Sequence, residues 1–159
     1  MKRLVLFLII CSFSFLSKAQ SNSSFGVKGG LNLTFFKVVQ YSFGEISETE
    51  TGYYGGLFLD FEIDDGFSIQ PELLYIGLND FHFLNAPIYT KYEVAHNLDV
   101  LVGPSINYFF DFFTSKLKIR ADLSTAYNIT SALDLHIKYT IGFQELTPNG
   151  LFIGVGYKL

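Results

Sequence analysis

Tryptophan is absent from this chain, and its 159 residues include one cysteine, one methionine and four prolines. The lone cysteine, Cys11, lies in an apolar stretch near the N-terminus, so no intrachain disulfide framework can form. Long hydrophobic runs are also lacking. Beyond the first 16 residues no stretch approaches the ~18 apolar residues that read as a membrane-spanning helix. Positive charge is scarce as well: eleven Lys and Arg stand against fifteen Asp and Glu, a formal charge of −4 that argues against a nucleic-acid partner. Metal-ligand spacing is missing, because His82, His96 and His136 are scattered. Asp64-Asp65-Gly66 has no EF-hand spacing after it and reads as a turn. Gly29-Gly30 and Gly55-Gly56 fall within strands rather than phosphate loops. No catalytic, cofactor-binding or metal-binding residue is therefore assigned, and no cofactor.

Aromatic residues are abundant, with ten Tyr and eighteen Phe. Met1-Lys2-Arg3 followed by the apolar Leu4 to Leu16 and the small residues Ser17-Lys18-Ala19 has the plan of a secretory signal peptide. Residues 1–19 are expected to be removed, which leaves a single domain over residues 20–159 that starts at Gln20 and holds no cysteine. Ile10 is too bulky to precede a lipidated cysteine, so Cys11 is not read as a lipoprotein site.

The mature chain alternates apolar and polar residues. From Leu133 to Gln144 every odd position is apolar and every even position is charged, polar or Gly. A period of two means a strand with two chemically opposite faces. Eight such segments are read, at 25–36, 52–63, 67–77, 84–95, 97–108, 117–129, 133–144 and 151–159. Tight turns at 64–66, near His96 and at 130–132 alternate with longer connections at 37–51, 78–83, 109–116 and 145–150. Gly66 is placed in the left-handed position of the first turn. Strict alternation of short and long connections predicts an all-β, eight-stranded antiparallel up-and-down barrel.

The inward face decides between two barrels. One face carries Leu31, Leu57, Leu73, Ile88, Val102, Leu123, Ile137 and Ile153 among others. The opposite face carries Lys28, Asn32, Asp60, Glu62, Gln70, Glu72, Lys91, Glu93, Asp99, Asn107, Lys118, Arg120, Asp122, Asp134, His136, Lys138 and Lys158. In a soluble lipocalin-like barrel the apolar face would line a ligand cavity; in a transmembrane barrel it would meet lipid. The apolar face is nearly continuous, the strands have bilayer-crossing length, and aromatics fall in two rows. Phe25, Phe67, Tyr127 and Tyr157 mark the short-turn rim; Phe35, Tyr53, Tyr75, Tyr108 and Phe143 mark the long-loop rim. The expectation is a transmembrane barrel in the outer membrane, with the soluble hydrophobic-ligand carrier as the alternative. Six cations and seven carboxylates on the inward face should pair and fill the lumen, since an unpaired buried charge is costly. A diffusion porin needs about sixteen strands.

Ser124, Asp134 and His136 share the inward face, with Ser124 diagonal to His136 across a hairpin. A barrel lipid hydrolase is the third reading, set below interior polar packing because nothing aims a nucleophile at lipid. Glu45, Glu48 and Glu50 make the longest connection acidic, a solvated tip or a contact for a cation or partner.

Several segments resemble the PorT-like outer-membrane β-barrel family of Gram-negative bacteria. These are Gly26-Val27-Lys28-Gly29-Gly30-Leu31-Asn32-Leu33, Ser68-Ile69-Gln70-Pro71-Glu72-Leu73-Leu74-Tyr75, Asn85-Ala86-Pro87-Ile88-Tyr89-Thr90-Lys91-Tyr92, Val102-Gly103-Pro104 and Ile153-Gly154-Val155-Gly156-Tyr157. The resemblance implies an integral outer-membrane protein that is not an enzyme, structural or accessory, with a secretion-assisting role in one family member. It implies that barrel assembly machinery reads the terminal strand, although Leu159 stands where the family prefers an aromatic. The expected partners are thus outer-membrane lipid, that machinery and secretion-system components, and the expected state is a monomer.

Overall fold

The computed structural model describes residues 23–40, 44–79, 82–110, 116–143 and 148–159, with backbone alone at 36–40 and 44–48. The expected leader and its cleavage point lie outside the described residues. Eight strands follow in order: β1 Ser23–Gln40, β2 Gly44–Asp64, β3 Phe67–Gly77, β4 His82–Ala95, β5 Leu98–Phe109, β6 Leu117–Asn128, β7 Leu133–Gly142 and β8 Asn149–Lys158. Each pairs antiparallel with the next, and β8 returns to β1 through Gly26↔Lys158 to Phe35↔Asn149, closing the barrel. The predicted eight-stranded up-and-down architecture is therefore the fold. Closure gives every strand a paired neighbour on each side and leaves no open edge around the barrel.

The short turns form as expected, each for a local reason. Gly66 has a φ of 76°, the left-handed value an L side chain resists, and Asn97 takes 64° in the next turn. Register shifts at Glu62/Asp64 and Glu93/Ala95 place an extra residue beside each of these turns. In the third turn the Thr130 hydroxyl accepts the backbone N–H groups of Ala132 and Leu133, at 3.2 and 3.0 Å.

One expected loop is a strand pair instead. The sequence pattern makes residues 37–51 a connection, yet β1 runs on to Gln40 and β2 begins at Gly44, paired from Phe36↔Glu48 to Gln40↔Gly44. Among the described residues this extension pairs only with itself, since β8 stops at Asn149 and β3 at Gly77. Ladder hydrogen bonds need extended backbone but not alternating side chains. The polar run through Glu45, Ser47, Glu48 and Thr49 hid the strand from a pattern that looks only for period two. The backbone at Glu45 and Glu48 thus belongs to a two-stranded ribbon; residues 41–43 lie outside the described residues.

The faces of the wall follow the predicted parity. Leu31, Ile88, Ile119, Ile137 and Ile153 point outward and are half or more exposed. Lys28, Asp60, Glu72, Asp99, Arg120, Asp122, Asp134, His136 and Lys138 point inward and are buried. Tyr92, Tyr127 and Tyr157 ring the short-turn end, while Tyr53, Tyr108 and Phe143 ring the other, all exposed. Glu62 and Glu93 keep the inward parity, opposite Ser68 and Asp99, but stand exposed because they lie at the open short-turn rim, where the lumen meets solvent.

Candidate functional site

Three layers fill the interior. Nearest the short-turn rim is a funnel of about 380 Å³ lined by Asp60, Ser68, Lys91, Asp99, Asn128 and Lys158, with Glu62 and Glu93 at its mouth. Lys91 pairs with Asp60 and lies 3.9 Å from Asp99. Lys158 adds a second cation 3.6 Å from Asp60, and the Asn128 amide donates to Asp99 at 3.0 Å. Acidic groups outnumber basic ones around this opening.

A middle layer spans the barrel. Lys28 Nζ meets Glu72 at 2.7 Å, and the Gln70 amide donates to the same carboxylate oxygen at 2.7 Å. Asp134 accepts from His136 Nδ1 at 2.8 Å. With that tautomer a neutral ring leaves Nε2 to accept from the Tyr54 hydroxyl, 2.6 Å away. Across the lumen, Lys138 donates to Asn85 at 2.6 Å and lies 3.5 Å from Asp122. Asp122 accepts from Ser105 at 2.8 Å and from Tyr89 at 3.3 Å. Lys28, Glu72, Lys138 and Asp122 are tolerated away from water because each has an opposite charge against it, and Asp134 is held by the His136 N–H.

Two glycines of β8 leave the space this layer needs. A Cβ on Gly156 would stand 2.2 Å from Asp134 Oδ2, and one on Gly154 would stand 2.3 Å from the Tyr54 hydroxyl and 2.2 Å from the backbone oxygen of Gly29. Side chains at either position would push apart the Asp134–His136–Tyr54 chain.

The third layer was not anticipated. Tyr54, Leu74, Ile76, Leu78, Phe83, Phe109 and Phe152 form a buried apolar cluster toward the long-loop end. Phe83 stacks on Phe109 with centroids 4.7 Å apart, and Phe152 stands edge-on to Tyr54 at 5.3 Å. Lys138 lies 4.3 Å from the Phe152 ring centroid, joining the charged layer to the aromatic one. The signal was present in runs such as Leu57-Phe58-Leu59 and Leu73-Leu74-Tyr75-Ile76, where apolar residues occupy both faces. An eight-stranded lumen is narrow enough to be packed by side chains, so large rings can fill it without contradicting a polar interior.

The three candidate catalytic residues part company. Asp134 and His136 are brought together, and Ser124 lies opposite Lys138, diagonal to His136 as expected. The Ser124 hydroxyl, however, donates to the Ile137 carbonyl at 3.1 Å, while Tyr54 occupies the imidazole nitrogen that a serine nucleophile would need. Glu50 is half-buried in β2; the side chains of Glu45 and Glu48 lie outside the description. Among the described residues no group of His, Cys, Asp and Glu has the arrangement of a metal site.

No protein-family model matches the chain. No curated protein matches it. Solved structures do. A de novo designed transmembrane β-barrel superposes with a TM-score of 0.56 at 17% identity, covering 86% of this chain and 93% of that one. Ail, the attachment invasion locus protein of Yersinia pestis, in complex with the heparin analogue sucrose octasulfate, gives 0.56 at 12% identity, covering 87% and 99%. Ail without that ligand gives 0.53 at 11% identity over the same shares, 87% and 99%. At these identities the likeness is one of fold, and the fold is that of transmembrane β-barrels.

Proposed function

We propose that this protein is a small integral outer-membrane β-barrel, with its charge-paired interior closed to solutes and a structural or accessory role in the envelope. The observation that carries the reading is the inversion of the two faces. Ile137 at 52% exposed and Val102 at 51% sit mid-strand on the outside, while Lys28 at 7% and Lys138 at 3% are buried at similar depth inside. Water rewards the opposite arrangement, and a bilayer rewards this one. The soluble lipocalin-like alternative requires the apolar face to line a cavity; here it faces outward, and the lumen holds ion pairs and rings.

The layers support closure. The funnel is open at the short-turn end, and the cluster of Phe83, Phe109 and Phe152 lies across the other. Enzymatic activity is set aside because the Ser124 hydroxyl is turned to a backbone carbonyl and His136 is buried at 4% exposed. Membership of the PorT-like family rests on the segments around Gln70-Pro71-Glu72-Leu73 and Ala86-Pro87-Ile88, and a secretion-assisting role rests on that resemblance in turn. Assembly through β8 by barrel assembly machinery and a monomeric state belong to the same reading.

The test is made on isolated envelopes. The protein should fractionate with the outer membrane and migrate differently on a gel with and without boiling. A soluble periplasmic protein with a single mobility would reverse the assignment of faces and redirect the search to a bound hydrophobic ligand.

A further inference from the structure

Three of the chain's four prolines stand in adjacent strands: Pro71 in β3, Pro87 in β4 and Pro104 in β5. Proline has no N–H for a ladder and is ordinarily confined to sheet edges and bulges. This barrel has no edge to put them on. The registers record the consequence. Pairing of β2 with β3 runs to Phe58↔Glu72 and resumes at Phe61↔Ile69, skipping Leu59 opposite Pro71. Pairing of β3 with β4 breaks between Pro71↔Ile88 and Leu74↔Asn85, across Glu72 and Pro87. Pairing of β4 with β5 breaks between Pro87↔Ser105 and Thr90↔Val102, across Ile88 and Pro104.

Each gap has the width that loss of a single N–H produces. One missing bond removes the pair it joined and the next pair that shared it. The gaps step from Leu59/Pro71 to Glu72/Pro87 to Ile88/Pro104, so they form one row near the middle of the strands. The ladders from β5 through β8 and back to β1 and β2 have no such interruption.

At the first gap the outer wall is also hollow. A groove of about 280 Å³ is lined by Phe25, Leu57, Leu59, Pro71 and Leu73, with Phe58 and Glu72 beneath. The Glu72 carboxylate is held from inside by Lys28 and Gln70, which leaves carbon side chains as the outward lining.

We propose that this groove seats one acyl chain of a membrane lipid, and that Pro71 makes room for it by leaving the β2–β3 ladder open. The inference rests on the membrane reading above. The occupant follows from continuity and chemistry. The groove opens on the same outward apolar belt as Ile88 and Val102, and its outward side chains offer no donor or acceptor to a polar head or a peptide.

Native mass spectrometry of the full-length mature protein tests this. The protein is reconstituted in nanodiscs of palmitoyl-oleoyl phosphatidylethanolamine and phosphatidylglycerol, then released in mild detergent. Wild type should retain one phospholipid. Leu73→Trp, which fills the groove, and Pro71→Val, which returns an N–H to the ladder, should each lower the lipid-bound fraction by about fivefold or more. Ile137→Trp, on the far wall, should leave it unchanged. Loss of lipid in all three variants alike, retention in both groove variants, or no retained lipid on wild type overturns the proposal. So does a dimer that Leu73→Trp abolishes, which would assign the groove to a second copy. If Pro71→Val is not recovered folded, Leu73→Trp carries the test. Heat modifiability separates the two levels: a wild type that does not insert sinks the membrane reading, whereas an inserted wild type without lipid sinks only this inference.

Discussion

At the residue scale the barrel depends on buried charges matched across the lumen, although the Arg120 guanidinium, also buried, lies against the Phe109 ring with no ion pair among the described residues. Lys28 and Glu72, both at 7% exposed, are the clearest pair. Lys28→Met should cost about 3–5 kcal/mol, since it strands a carboxylate in the lumen, while Lys28→Met with Glu72→Met should recover most of that loss. Urea titration in micelles, followed by the heat-modifiable band, measures both; equal stability of the single and double variants would mean the pair is not coupled. The outward face obeys the opposite rule. Ile137→Lys should lower stability by about 2–4 kcal/mol if that position faces lipid, and should be nearly silent if it faces water. Ser124→Ala removes one hydrogen bond to a carbonyl and should cost about 1 kcal/mol or less. Register and parity of Ser124, Asp134 and His136 were legible in the sequence. The partner of His136 was not, because Tyr54 is 82 residues away and arrives only when the barrel closes.

At the element scale the eight strands differ in how securely each is held. The row of prolines weakens three neighbouring interfaces, and hydrogen exchange in micelles should reveal it. Amides of Leu57, Phe61, Ile69 and Leu73, which flank the first gap, should exchange about tenfold faster than those of Thr125 and Ile137 in the uninterrupted β6–β7 ladder, the equivalent of about one hydrogen bond. Uniform protection around the barrel would show that the gaps carry no weakness. The β1–β2 ribbon is another weakly supported element, paired on one side only along Phe36–Gln40 among the described residues. Replacing residues 37–47 by an Asn-Gly turn should leave heat modifiability intact, because the closing pairs from Gly26 to Phe35 are untouched. Loss of the folded band would make the ribbon part of the fold rather than an appendage.

At the scale of the whole molecule, asymmetry along the axis is the main feature. A polar, net-acidic funnel lies at the short-turn end and an aromatic floor at the other. Reconstituted in a planar bilayer, the protein should produce no ion-conducting steps at either polarity. Steady conductance would mean that the aromatic layer opens, and Phe83→Ala would then be expected to enlarge it. The inward side chains decide this. Strand count limits the lumen to a width that side chains can fill, and the rings and ion pairs occupy it.

Strand number, order of connections and the division of each strand into an apolar and a polar face were determined by local pattern: a period of two, turn residues at the right intervals and charges confined to one parity. These signals survive without knowledge of neighbours, because pleating turns alternate residues to opposite sides of any strand. The tertiary structure decided what local pattern cannot carry. It placed Tyr54 on His136 and matched Lys28 to Glu72 across 44 residues. It gathered Phe83, Phe109 and Phe152 into one cluster and aligned Pro71, Pro87 and Pro104 in a single row. Each of these arrangements is a product of register and closure. Both are set by the summed hydrogen bonds and packing of eight strands, and by no single segment.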